Sequence, residues 1–320
     1  MHRFQSFWFG SDLPAYQRLA AQSFIDFGFR YTLYSYQKFD VPNGVDLRDA
    51  REILPEDRVF FCGAHGSVSA FSDLFRYHLL HEAGGWWIDA DVVCLSEKVP
   101  EADIFLGWES EEWIASAILK VPKHHRFARD LRDAAERAGT NIAWGQTGPH
   151  LVTRLAKEHG LFDLVSPQAT SFPVQWMDAL HLLIPQRRDQ VHQRVKNAPF
   201  LHIWNEMLRR AVVFTWMAPP PGSFIAELFD RHGVGFDGAP VYSADQIQRL
   251  SDNFWNAYGR EESDLVSLRS QLNDAQAQTI RLAHELQCSQ SVINELKSST
   301  SWRATAPARY VATLLRGSFP

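Results

Sequence analysis

Three cysteines in 320 residues, at positions 62, 94 and 288, are too few and too far apart for a disulfide framework, and no C-x-x-C spacing marks a zinc knuckle. A reducing, cytoplasmic setting fits that usage. Basic charge is also in short supply. With 32 Lys and Arg against 37 Asp and Glu, the formal charge is −5 and the pI near 6.2. No global positive field favours nucleic acid, so a phosphate-bearing ligand must be held locally, by a metal or a few arginines. Long apolar runs are missing too. The longest, AVVFTWMA at 211–218, falls well short of the roughly 20 residues a membrane-spanning helix needs. The N-terminus carries one early arginine and a short aromatic run with Asp12 close behind and no small-residue cleavage pattern, so it reads as a first strand. No G-x-x-x-x-G-K-[ST] occurs, which weakens the case for a phosphoryl-transfer or nucleotide-hydrolysing enzyme.

What is present is a 45% hydrophobic chain, enough for one large domain with an appendage. Up to residue 210, strand-like and helix-like stretches alternate. FQSFWF (4–9), FRYTLYSY (29–36), RVFFC (58–62), IFLGWE (104–109), WIASAILKV (113–121) and FLHIWN (200–205) read as strands. Helices are expected over 14–28 with Pro14 near the first turn, over 67–85 between a serine cap and closing glycines, over 125–139, and over 150–160 after the turn WGQTGP (144–149). WWIDADVVCL (86–95) reads as strand, kink, strand. Such alternation predicts an α/β fold with a mainly parallel central sheet, whose ligands sit at the carboxyl ends of the strands. Residues 211–258 read as a helical cap completing a domain over 1–258 with its core in 1–210.

Glycine and proline are absent from 261 to 306. Within 261–297, Leu265, Leu268, Leu272, Ala275, Leu282, Leu286, Ile293 and Leu296 recur in alternating steps of three and four, with Thr279 and Ser289 interrupting the seam. This predicts a coiled-coil helix and a homo-oligomer; a solvent-bridging helix on its own domain is the alternative. The last segment, 298–320, carries Arg303, Arg309 and Arg316 with no acid, interleaved with Trp302, Tyr310, Leu314 and Leu315. It reads either as a basic amphipathic tail for peripheral contact with an anionic inner membrane surface or as a disordered end.

The chemistry centres on HEAGGWWIDADVVCL at 81–95. With 21 aspartates in the chain, a D-x-D arises by chance about once, so only context gives it meaning. In extended chain, Asp89 and Asp91 project to one side while Ile88 and Ala90 face the other. Two carboxylates in an apolar strand repel unless a cation joins them. Hard oxygen ligands with no cysteine nearby select Mn²⁺ or Mg²⁺, ions that usually bind one or two carboxylates plus substrate phosphates. Gly84 and Gly85 would let backbone approach such a ligand. Asp73 and Arg76, three apart on the expected helix, are either a surface ion pair or a pair holding a sugar hydroxyl and a phosphate.

FSDLFRYHLLHEAGGWWIDADVVCL resembles the sugar-binding DXD region of GT-A fold glycosyltransferases, with its pattern small-S-D-x-x-R-Y-x-x-L-x-x-x-G-G-x-[YW]-x-D-x-D. That family spans α-1,4-galactosyltransferases, yeast α-mannosyltransferases, clostridial toxin glucosyltransferase domains and bacterial surface-polysaccharide enzymes. FWFG (7–10), WGQTGPHLVTRL (144–155) and HIWNE (202–206) are similar to stretches of the galactosyltransferase branch in order and spacing. The resemblance implies a GT-A, Rossmann-like domain that moves a hexosyl unit from a nucleotide-sugar, a UDP-sugar by family frequency. It implies an acceptor that is a saccharide or lipid-linked saccharide, with retention of configuration, in bacterial surface polysaccharide synthesis. It assigns Asp89 to ribose and metal, Asp91 to metal, Asp73, Arg76 and Trp87 to the donor, Trp8 to the uracil, and His202 to the metal as a third protein ligand. On its own, a lone histidine in FLHIWN reads as core. The chain departs from the family at Ala115, where an asparagine is usual. Near the anomeric carbon, Glu109, Glu111, Glu112 and Gln146 are candidates, and the three glutamates alternatively form a solvated loop. A nucleotide-sugar hydrolase and a non-catalytic oligomerising scaffold derived from a transferase are the competing functions.

Overall fold

The computed structural model of the chain describes residues 2–62, 66–143 and 145–316, and the side chains among them other than those of Glu262, Leu314, Leu315 and Arg316. Trp144 of the expected WGQTGP turn, and the side chains of Leu314, Leu315 and Arg316 in the expected tail, lie outside that description. The chain divides into two compact units, Met1–Phe254 and Trp255–Pro320.

The first unit is built on a five-stranded sheet of β1 (Arg3–Phe7), β2 (Arg30–Ser35), β3 (Val45–Asp49), β4 (Gly85–Ile88) and β7 (Ile118–Val121), in the order β3-β2-β1-β4-β7. All pairings are parallel except β4 with β7. The order reverses between β1 and β4, the switch point at which α/β sheets open a crevice at their carboxyl ends. Two small ribbons complete the unit. One pairs β5 (Val92–Cys94) with β9 (Phe200–His202) antiparallel; the other pairs β6 (Leu106–Gly107) with β8 (Val165–Ser166).

Helices cover both faces because the strand side chains alternate. Phe7, Trp87 and Leu119 face a core made with α2 (Ser69–Ala83), α3 (Arg126–Ala138) and α4 (Pro149–Glu158). Phe4, Trp86, Ile88 and Ile118 face the opposite core with Ala21 and Phe24 of α1 (Ala15–Asp26). The two adjacent tryptophans of the sequence are thus split between layers, each about 1% exposed. A third core gathers Tyr16 and Leu19 of α1 with Leu208 of α7 (Asn205–Arg210), Leu228 of α8 (Phe224–Arg231), Val191 of α6 (Arg188–Val195) and Ile247. A single turn, α5 (Gln168–Ser171), precedes it.

Three differences from the sequence reading have physical causes. RVFFC is no strand: Pro55 opens a 3₁₀ turn over Glu56–Arg58, and Cys62 makes only an isolated bridge to Ser67. The sheet position beside β2 is filled instead by β3, whose VDLRD is too polar for a strand signal because it lies at the sheet edge. The long helix α9 (Ala244–Ser298) starts well before residue 261, nucleated by a capping box. Ser243 Oγ accepts from Gln246 N while Gln246 Oε1 accepts from Ser243 N.

The second unit holds the remainder of α9, then α10 (Thr300–Ala304) and α11 (Ala306–Arg316). Leu265, Leu268, Leu272, Leu282, Leu286 and Leu296 are all more than half exposed. Among the described residues no helix is long and apolar enough to cross a membrane.

Candidate functional site

Asp89 follows β4 at its carboxyl end, on the same face as Trp87, two residues earlier. Trp87 Nε1 donates to Asp89 Oδ1 at 2.7 Å, and Arg76 donates to the same oxygen at 2.8 Å. Among the described residues Asp89 Oδ2 accepts no hydrogen bond. Arg76, only 3% exposed, also donates to Asp73 Oδ1 at 2.7 Å and stands over the Trp87 ring at 4.9 Å. Thr147 Oγ1 donates to the other Asp73 oxygen at 3.0 Å, and Tyr77 donates its hydroxyl proton to Thr147 O. The result is one buried network, Thr147–Asp73–Arg76–Asp89, that fixes Asp89. Burial pushes the Asp73 carboxyl up to about 6 against the pull of Arg76, whose single charge serves two carboxylates.

Asp91 is placed differently from the extended-chain expectation. Asp89-Ala90-Asp91 is a turn closed by Val92 N donating to Asp89 O, so the strand pleat is not what brings the carboxylates together. Asp91 Oδ1 lies 3.2 Å from His202 Nε2, and Asp91 Oδ2 accepts from Asn205 N at 2.8 Å. β9 supplies His202 because Val92 pairs with His202 in the β5–β9 ribbon. Trp204 then adopts φ +62° and ψ +52°, a left-handed conformation uncommon for a large side chain. That turn aims Asn205 N at Asp91 and lays the indole against the His202 ring, centroids 4.0 Å apart. Burial disfavours the His202 imidazolium, but Asp91 more than offsets it and the histidine is raised above its ordinary value. Asp91 is lowered: burial would raise it, and His202 and the donated hydrogen bonds prevail.

One ligand atom each from Asp89, Asp91 and His202 fall within 4.8 Å of one another. Two carboxylates and an imidazole match the donor set of a hard divalent cation. His202 Nδ1 is buried without a partner, so the ring is held by Asp91 and by the Trp204 indole rather than by a hydrogen bond on its far side. A second grouping, His81, Glu82 and His124, lies at the far end of α2. There the Arg132 guanidinium stands 3.0 Å from His81 Nδ1, which opposes a cation.

Glu109 is the other carboxylate in this neighbourhood. Burial pushes it up to about 7, with the Asp89 charge adding to the rise and His202 opposing it. In metal-free protein, Glu109→Gln is therefore expected to stabilise the fold at pH 8 by about 1–3 kcal/mol and to change little at pH 5. The sign follows from the raised value: the native state favours the protonated acid, and that contribution is lost as pH climbs through about 7. Denaturant melts in EDTA at the two pH values check it.

Among the other expected site residues, Gly84 and Gly85 lie away from this trio, whereas Trp8 stands at the same carboxyl end of the sheet as Asp89. Gln146 is exposed and its Oε1 accepts from Ala143 N; Glu111 and Glu112 are exposed. Gly84 caps α2 and Gly85 begins β4, at the opposite end from Asp89. A Cβ on Gly84 would stand 2.3 Å from Lys123 N, and both glycines have positive φ, so close packing and turn geometry account for them. Trp8 lies just past β1 with its indole N–H donated to Asp12 O. Ala115 is buried in the core. A cavity of about 460 Å³ lined by Arg3, Arg30 and Arg48 opens at the other end of the strands and contains none of the site residues. Thr147, Trp204 and Asn205 were missed, although all three sit inside the quoted stretches WGQTGP and HIWNE.

A family model described as capsular polysaccharide synthesis protein matches residues 64–113, which include Asp73, Arg76, Asp89 and Asp91. Lactosylceramide 4-alpha-galactosyltransferase of Rattus norvegicus is 25% identical over 151 residues, covering 43% of this chain and 41% of that protein. The Homo sapiens protein of the same name is 24% identical over 153 residues, with 43% and 42% covered. By sequence, the chain is a distant relative of glycosyltransferases. It spans about two fifths of the length of the rat and human relatives. A solved structure, PaToxG Glycosyltransferase, overlays 49% of this chain and 69% of its own with 13% identity and a TM-score of 0.37.

Proposed function

We propose that the chain transfers a hexosyl unit from a nucleotide-sugar, a UDP-sugar, to a saccharide or lipid-linked saccharide in surface polysaccharide synthesis, with retention and with Mn²⁺ or Mg²⁺. The observation that carries the reading is the convergence of Asp89, Asp91 and His202 beside the β1/β4 switch point. Sequence similarity to the capsular polysaccharide and galactosyltransferase families supports the reaction class.

A divalent cation held by those three side chains would supply Lewis-acid neutralisation of the departing diphosphate. The chain's own work is positional. Arg76 and Trp87 occupy one Asp89 oxygen and leave the other for ligand. Asn205 N and His202 grip Asp91 from both sides. Glu109, neutral over much of the range below pH 7 and within the electrostatic reach of His202 and Asp89, is the group we assign to the face of the sugar, as proton donor or acceptor. The α10–α11 segment, with Trp302 and Tyr310 exposed beside Arg303 and Arg309, suits peripheral contact with an anionic membrane carrying the acceptor.

The test is a panel of nucleotide-sugars with and without Mn²⁺, read first by thermal shift and then by transfer. A metal-dependent shift for one donor is expected, with transfer abolished in EDTA. His202→Ala should weaken Mn²⁺ binding by about 10-fold or more. An unchanged Mn²⁺ dissociation constant would remove His202 from the ligand set, and full transfer in EDTA would end the metal reading. Equal donor consumption with and without acceptor would make the enzyme a hydrolase.

A further inference from the structure

The exposed face of α9 has a register that specifies its partner. With Leu265 at heptad position a and Leu268 at d, position a holds Leu265, Leu272, Thr279, Leu286 and Ile293, and position d holds Leu268, Ala275, Leu282, Ser289 and Leu296. Ile293 is 42% exposed and the leucines of the seam 56–70%. Glycine and proline are absent throughout, so nothing interrupts the stripe. A run of this length left in water has no stabilising partner within its own helix.

From the seam's flanks we infer that a second copy of this chain covers it, as a parallel, in-register two-stranded coiled coil. In that arrangement a g residue faces the e residue five positions on in the partner. Asp264 at g then meets Arg269 at e, twice by symmetry. The following g–e pairs are Gln271 with Gln276, Gln278 with Ala283, Glu285 with Gln290 and Val292 with Lys297, none of them like-charged. The polar seam positions agree. In register, Thr279 packs on Thr279 and Ser289 on Ser289, so each hydroxyl has a polar neighbour. An antiparallel pair of full overlap sets Thr279 against Leu282 and Ser289 against Leu272, and the shifted antiparallel register that matches Thr279 with Ser289 leaves Leu265 and Leu268 unpaired. Ala275 and Ser289 at d are too small to fill the wider interior of a trimer or tetramer, which selects two strands. The pairing is independent of any activity in the first unit, and it brings two copies together at their 264–269 ends.

Sedimentation of the full chain is expected to give twice the 36.6 kDa chain mass. Leu272→Asp combined with Leu286→Asp should give a monomer whose first unit melts unchanged. For strand sense, Leu268→Cys and Leu296→Cys are made separately in a background lacking Cys62 and Cys288. Each should oxidise to a covalent dimer. Asp264→Arg should raise the dimer dissociation constant about 3- to 10-fold, and adding Arg269→Asp should restore it. A monomer persisting at ~100 μM overturns the pairing. A dimer in which neither single cysteine cross-links overturns the parallel sense. A trimer overturns the strand number, and a monomer whose seam binds anionic vesicles assigns the face to lipid instead.

Discussion

Asp91→Asn is expected to lower transfer by about 1,000-fold or more while leaving a folded protein. Asparagine keeps the shape and an oxygen that can accept from Asn205 N, but it removes the charge that His202 and a cation both require. The same substitution has a pH signature in metal-free protein. His202 is raised by Asp91, so its share of stability is full below the ordinary histidine value and is lost as pH rises through the elevated one. Asp91 is lowered, so its share is present above the ordinary carboxyl value and is lost as pH falls. The stability gap between wild type and Asp91→Asn should therefore be widest between about pH 4 and 6.5 and narrow on either side. Wild-type rates in the variant, or a gap that does not vary with pH, would refute the arrangement.

Arg76→Met carries the largest expected stability cost, about 3–5 kcal/mol, because it strips the shared cation from two carboxylates in a buried network. Asp73 is then left with Thr147 alone, and Asp89 with the Trp87 indole. Adding Asp73→Asn removes one of the stranded charges and should recover part of the loss, as coupled neighbours do. Urea melts of the two variants measure this. A cost under about 1 kcal/mol for the single variant would mean that the pair behaves as an exposed surface bridge.

These two predictions separate two layers of the site. Asp91 meets His202 through the β5–β9 ribbon, whereas Asp73 is joined to Asp89 through the Arg76 guanidinium. The Arg76 guanidinium is 3% exposed and shared between two carboxylates. Asp73 holds that guanidinium and accepts from Thr147.

Sequence by itself determined the alternation of strands and helices, the acidic pair after a double glycine, and a long helix with a heptad seam, because each rests on local periodicity or turn chemistry. It could not supply the edge strand Val45–Asp49, whose polar side chains carry no burial signal, nor deny a strand to RVFFC, because sheet membership depends on which neighbour is free. Only the tertiary structure decided how Asp91 meets His202, 111 residues away, through a two-stranded ribbon and a left-handed Trp204. It likewise turned Arg76 inward and set Gly84 against Lys123 instead of a ligand. Orientation and burial are long-range properties: they come from packing between elements, which a linear pattern of residue types leaves open.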